Sequence, residues 1–386
     1  MAIIKSEKII KILSLTYKTL ALITPPQKNK ICFFSEPDIS DNAYHYFRYL
    51  YSIKPNLEYV WVVKKPKKAL EKISTLYEAG NIKIVKKNTI ASIFHLLRSK
   101  FIIHTHGTYR FVSPTSGRLI INLWHGMPIK KIGLLDDKIT APLSRIDRSD
   151  YIISTSKFFS YVMACAYKIE YKNSLITGLP RNDVLSTPVI PQKKVLEMLG
   201  VPEHHRIGFW LPTYRKISSG ENRQDSTSDN FLSETNFNLE ALDQKLLKLN
   251  TTIIIKTHPL DSFNYSKIGL SNIKLLTPKD WDATKLDLYD ALSRTEFLIS
   301  DISSVMIDYM LTGNPIIRID PMRSGYSRGA TYEFDFFNYT NFHEVRSESD
   351  LLLSLSYPKK KSTPPYMYHS STGSASENIT KFIFPH

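Results

Sequence analysis

Short apolar runs recur along the chain, each closed by polar residues or glycine and followed by residues spaced as on a helix face. Lys30 to Ser35 reads as a strand, Asn42 to Ser52 as a helix, Tyr59 to Val63 and Ile82 to Val85 as strands, Ile90 to Leu97 as a helix and Phe101 to His104 as a strand. Leu119 to Leu123, Tyr151 to Thr155, the helical Lys157 to Tyr167 and Ser174 to Thr177 continue the series. Strands that alternate with helices imply βαβ units and a parallel sheet. The alternation breaks at Leu185-Ser186-Thr187-Pro188-Val189-Ile190-Pro191 and restarts with Ile207 to Leu211, Ile253 to Lys256, Phe297 to Ser300 and Pro315 to Ile319. A chain of 386 residues is too long for one ordinary core and suits two. The expected fold class is therefore α/β, with one doubly wound, Rossmann-like domain over 27–187 and a second over 188–356.

The ends follow different rules. Met1 to Ile23 mixes Ile and Leu with Lys5, Lys8, Lys11 and Lys18 and stops at Pro25-Pro26. It is too interrupted to span a bilayer and lacks a small-residue cleavage site. As a helix it places Ile9, Ile10, Leu13 and Leu20 on one side and lysines on much of the other, so 1–26 is expected either to lie on a membrane surface or to pack on its own domain. Charge favours the membrane: 51 Lys and Arg against 36 Asp and Glu give +15. The expected location is peripheral, on the cytoplasmic face of a bacterial membrane. Cys32 and Cys165 make neither a disulfide framework nor a zinc cluster. Residues 217–236 are polar and unpatterned, as in a long surface loop, and 357–386 reads as a weakly ordered tail whose Ile379 to Phe384 can dock on the body.

Polar groups cluster where the apolar runs end, the edge at which α/β proteins bind ligands. Trp124-His125-Gly126-Met127-Pro128 follows one such run, and His125 is placed to act as a general base. Lys130 and Lys131 follow it and suit an anionic acceptor, or a solvated surface. Ser300-Asp301-Ile302-Ser303-Ser304 precedes a helical run, so Ser303 and Ser304 fall at a helix start suited to an anion. Asp301 is expected to orient a histidine or cap the helix, and Asp308 to reach a ribose hydroxyl or close a structural hydrogen bond. Thr213 and Arg215 in Leu211-Pro212-Thr213-Tyr214-Arg215, and His258 in Lys256-Thr257-His258-Pro259, lie beyond two further runs and suit a diphosphate. Arg181, in Gly178-Leu179-Pro180-Arg181-Asn182-Asp183, better suits a structural ion pair. No carboxylate cluster, Asp136-Asp137 included, has metal-ligand spacing, so no metal is expected.

The ordered set WHGMPIKKIG, GLPRND, LPTYR, THP, SDISS, Asp308 and Arg328-Gly329, with an Asp41-Asn42 pair upstream, resembles the CDP-glycerol glycerophosphotransferase family from about Cys32 to about Gly329. Where Ile302 stands, family members usually carry Tyr. The resemblance implies a GT-B fold, two doubly wound domains facing a cleft. It also implies transfer of a polyol phosphate from CDP-glycerol, or CDP-ribitol, to a lipid-linked or glycan hydroxyl in teichoic-acid-like or capsular polymer synthesis, with CMP released and no cofactor required. By the same resemblance His125 is the base. His258 is expected to join it as a catalytic residue by donating to a diphosphate oxygen, with Thr213, Arg215, Asp301, Ser303, Ser304 and Asp308 on the donor side and Gly126, Lys130 and Lys131 on the acceptor side. Two other classes stay open: a GT-B sugar transferase using a nucleotide sugar, and a basic protein that only docks on a membrane. No recognition helix or basic-aromatic motif argues for nucleic acid.

Overall fold

The computed structural model describes residues 7–74, 77, 80–106, 108–136, 148–212, 237–257, 270–301, 303–319, 339–356, 361–370 and 373–385. They form two units: 1–126 with 132–183 and 370–386, and 127–131 with 184–369. The sequence puts the division between 187 and 188; here the chain passes from one unit to the other at 183/184, and 370–386 groups with the first unit.

The first unit is a seven-stranded sheet of β1 (Gln27–Phe34), β2 (Glu58–Val63), β3 (Ile82–Lys86), β4 (Ser99–His104), β5 (Leu119–Asn122), β6 (Tyr151–Ser154) and β7 (Ser174–Ile176). The order is β3-β2-β1-β4-β5-β6-β7, every pairing parallel. Both faces are covered, which is why these strands read as continuous apolar runs. Successive side chains point to opposite faces. Cys32 and Phe34 join Ile102 and Ile120 against Tyr17 and Ala21 of the helix Glu7–Ile23 and Leu96 and Leu97 of the helix Ile90–Arg98. Phe33, between them in sequence, stacks on Trp61 at 4.9 Å and meets Phe47 of the helix Asp41–Ile53 edge-on at 5.9 Å.

The C-terminal helix Ala375–Ile383 belongs to this unit. Asp183 accepts hydrogen bonds from the Ala375 and Ser376 N–H groups at 2.8 and 2.9 Å, supplying the cap that the helix start needs. Burial raises the Asp183 pKa, and the bonds to Ser376 and Ala375 oppose the shift. Phe384 packs on Phe101 and Phe382 on Tyr151, so the docking expected of Ile379 to Phe384 is present.

The second unit holds β8 (Arg206–Leu211), β9 (Thr251–Lys256), β10 (Ile273–Leu276), β11 (Phe297–Ser300), β12 (Ile316–Ile319) and β13 (Phe342–Val345), all parallel, in the order β10-β9-β8-β11-β12-β13. Its core joins Trp210, Ile253, Ile255, Phe297, Ile299 and Ile317 to Leu242 and Leu246 of the helix Leu239–Lys248. Gly208 is required on β8 because a Cβ there would lie 2.0 Å from the Phe297 ring. Each sheet reverses its winding at one point, between β1 and β4 in the first unit and between β8 and β11 in the second. Such reversals are where open α/β sheets bind ligands.

Candidate active site

In the first unit, three segments far apart in sequence meet at the carboxyl edge of the sheet. Asn42 is fully buried, and its Nδ2 donates to the Leu123 and Trp124 carbonyls at 3.0 and 2.9 Å. Its Oδ1 accepts from the Arg181 N–H at 3.1 Å. One side chain thus joins the helix that follows β1, the turn that follows β5 and the 3-10 turn Pro180–Asn182. Arg181 pairs with Asp41 at 2.8 Å, the structural role expected of it.

The turn after β5 is tightly specified. Asn122 Oδ1 accepts from the Trp124 N–H at 2.8 Å, Trp124 has φ 48°, and Gly126 has φ 123°, a conformation that L side chains rarely adopt. His125 is half-buried between Trp124 and His106, with ring centroids at 3.9 and 4.7 Å. Its Nδ1 is buried without a hydrogen-bond partner among the described residues. Burial, then the nearby His106 and Arg181, holds its pKa well below 6.5. An imidazole in this setting is neutral near pH 7 and can accept a proton.

Sequence reading overlooked the second strand end at this edge. His104 closes β4 beside Asn122 in the sheet register, is almost fully buried, and has no hydrogen-bond partner at either ring nitrogen among the described residues. Burial, with His106 adding to it, lowers its pKa to about 3. The rule that picked out His125, a polar residue closing an apolar run, applies equally to His104-Thr105-His106 after Phe101-Ile102-Ile103.

In the second unit the segments assigned to the donor leave three adjacent strands. Leu211 ends β8 and Pro212 follows it, Thr257 follows β9, and Asp301, Ser303 and Ser304 follow β11; Ser300 Oγ donates to the Leu211 carbonyl at 2.8 Å across the reversal point. Thr213, Arg215 and His258, the loop at 217–236 and Arg328-Gly329 lie outside the described residues. Ser303 and Ser304 are half-buried, and Ser304 precedes the short helix Val305–Tyr309 as expected. Asp301 is buried. Asp308 is fully buried and accepts from Tyr289 Oη at 2.7 Å, the structural hydrogen bond that was one of its two expected roles. His369 fixes the same helix by donating from Nε2 to the Ile307 carbonyl at 2.7 Å. Lys130 and Lys131 are half-buried, in the segment that groups with the second unit.

Lys256, the last residue of β9, was also overlooked. Its Nζ lies over the Trp281 ring at 5.2 Å, and burial lowers its pKa to about 8, opposed by Asp287 and Asp282. It remains mostly charged at pH 7. A lone lysine closing an otherwise buried run was the available signal. Among the described residues no group of three His, Cys, Asp or Glu is placed to hold a metal ion.

Two doubly wound parallel sheets with polar carboxyl edges, one carrying a neutral histidine and the other cationic and hydroxyl groups, define a nucleotide-handling α/β enzyme of the GT-B class. The model of the family CDP-Glycerol:Poly(glycerophosphate) glycerophosphotransferase matches residues 16–384, and the chain belongs to that family. It is 24% identical over 299 residues to the teichoic acid poly(glycerol phosphate) polymerase of Staphylococcus epidermidis, covering 73% of this chain and 38% of that protein. It is 26% identical over 320 residues to the teichoic acid glycerol-phosphate transferase of Staphylococcus aureus, covering 78% and 76%. The fold is similar to that of a variant of the wall teichoic acid polymerase TagF, with a TM-score of 0.74, 19% identity and coverage of 98% of this chain and 95% of that one.

Proposed function

We propose that this protein transfers glycerol phosphate from CDP-glycerol to an acceptor hydroxyl. The oxygen of the hydroxyl bonds to the phosphorus that carries glycerol, the bond from that phosphorus to CMP breaks, and His125 takes the hydroxyl proton. The observation that carries this reading is the Asn42 clamp, which fixes a neutral imidazole at the end of β5. Developing negative charge on the phosphates and on CMP calls for cations and N–H donors. Lys256, Ser303 and Ser304 suit that task at the second sheet's edge, with Arg215, Thr213 and His258 assigned to it by family resemblance. Glycerol is favoured over ribitol because the family description and both relatives name glycerol phosphate.

The acceptor is a lipid-linked or glycan end of a teichoic-acid-like or capsular polymer, reached from the cytoplasmic membrane surface. Among the described residues no helix is long and apolar enough to cross a membrane, and the helix Glu7–Ile23 suits attachment to an anionic bilayer. The reading needs no resident metal or cofactor. A donor screen tests it: CDP-glycerol should release CMP faster than CDP-ribitol, and nucleotide sugars should release nothing. Release of UDP or GDP from a sugar donor, with none of CMP, would instead make the protein a sugar transferase. Transfer should persist in EDTA; activity lost there and restored by Mg²⁺ would overturn the metal-free reading.

A further inference from the structure

At the amino edge of the first sheet, opposite the end where His125 lies, a cavity of about 420 Å³ opens between the end of the helix Glu7–Ile23, the starts of β1 and β2, and the helix Ile90–Arg98. Lys30, Lys83, Arg98 and Glu58 line it, a formal excess of two positive charges. Lys30 is only 2% exposed, and it shares Glu58 with Lys83, at 3.1 and 2.9 Å. One carboxylate therefore faces two ammonium groups, and among the described residues Arg98 donates to a carbonyl alone, that of Pro25 at 3.0 Å. His95 adds a buried Nδ1 with no hydrogen-bond partner among the described residues. Lys30 is buried and paired, while Lys83 and Arg98 reach solvent, so an anion entering the cavity meets cations that Glu58 neutralises only in part.

The rim of the cavity is apolar and open to solvent. Ile23 is 73% exposed and Phe94 56%, with Leu22 at 76% beside them. A cationic pocket inside an exposed apolar rim matches the boundary between headgroups and acyl chains. We infer that this cavity binds the phosphate of an anionic phospholipid headgroup while Leu22, Ile23 and Phe94 enter the adjoining hydrocarbon. The inference rests on the membrane attachment proposed above and gives it a second, headgroup-specific contact. Free phosphate shares the charge but has no use for the rim.

His95 reports on the site. Burial, then Lys30 and Lys83, depresses its pKa against the opposing pull of Glu58, so a bound anion should raise it. With histidine-labelled full-length protein, NMR titration with a short-chain phosphatidylglycerol below its micelle concentration should shift the His95 resonances and raise its pKa. Inorganic phosphate at the same concentration should do neither. Equal responses would make the cavity a free-phosphate site and overturn the lipid assignment; no response to either ligand would remove the site. A second arm uses vesicles containing phosphatidylglycerol. The double variant Lys83→Gln/Arg98→Gln should bind them at least fivefold more weakly than Lys67→Gln/Lys68→Gln, which removes the same charge elsewhere on the surface. Equal loss in both would reduce the effect to net charge. Because the soluble-lipid titration does not require attachment to a bilayer, it separates failure of the pocket from failure of the membrane reading.

Discussion

Protonation decides whether His125 can act. A general base works only in its neutral form, so activity falls as pH drops through its pKa. Burial, His106 and Arg181 lower that pKa, so the acid limb of kcat/KM should lie well below pH 6.5. A limb at or above the ordinary histidine value would mean that another group titrates. His125→Ala should cut turnover by about two to four orders of magnitude, the usual worth of such a base, while CDP-glycerol binding measured by calorimetry changes only a few-fold. Turnover near the wild-type rate with saturating donor would exclude His125 from proton transfer. Asn42 acts one step further back. Its three bonds satisfy two buried carbonyls and one N–H, and each group left unsatisfied costs about 1–3 kcal/mol. Asn42→Ala should therefore lower both stability and kcat, and leave CMP affinity unchanged if the donor sits in the second unit. A variant with normal kcat would show that the clamp serves only the fold.

Among the elements, the helix Glu7–Ile23 meets one of the two expectations that its sequence left open, packing on its own domain, and keeps an exposed face for the other. A narrow stripe of Ile10, Tyr17 and Ala21 is buried against the first unit. Arg118 ties the end of the helix to the sheet by donating to the carbonyls of Ala21, Thr24 and Leu97. The opposite side leaves Ile12 at 64%, Leu15 at 69% and Leu22 at 76% exposed, flanked by Lys8, Lys11 and Lys18. Deleting the helix would confuse these roles, because it also removes core residues. Replacing Ile12, Leu15 and Leu22 with Gln touches only the outer face. That triple variant should keep the wild-type melting temperature and CMP release with a soluble acceptor analogue, yet bind anionic vesicles at least tenfold more weakly. Unchanged vesicle binding would move the attachment elsewhere on the basic surface. A lowered melting temperature would show that the outer face also packs.

For the whole molecule, strand positions were the most legible feature, because a strand buried on both faces can hardly be written except as an apolar run such as Ile253-Ile254-Ile255. The segments at the strand ends were legible for the same reason: His125 and Ser303 stand where such runs stop. What escaped depends on contacts across long sequence separations. The Asn42 clamp joins residues 139 positions apart, and the return of Ala375–Ile383 depends on Asp183. Neither bond leaves a period in the sequence. The burial of Asp308 behind Tyr289 was equally invisible, since a single carboxylate on a helix reads alike whether it faces a ligand or the core. Burial of the histidines has a consequence for the molecule as a whole. His104, His125 and His369 all have lowered pKa values, chiefly through burial. The unfolded chain binds protons at these positions near pH 6.5 while the folded one resists, so their contribution to stability is complete above that pH and declines as pH falls below it. For His104, with a folded pKa of about 3, the loss begins near 6.5 and continues until the pH reaches that value. At about pH 5 this one residue should cost about 2 kcal/mol relative to pH 7. In urea unfolding at the two pH values, His104→Gln should lose less stability than the wild type by about that amount, with His125 and His369 keeping part of the acid sensitivity. Equal losses in the two proteins would show that His104 is not the group whose burial resists protonation.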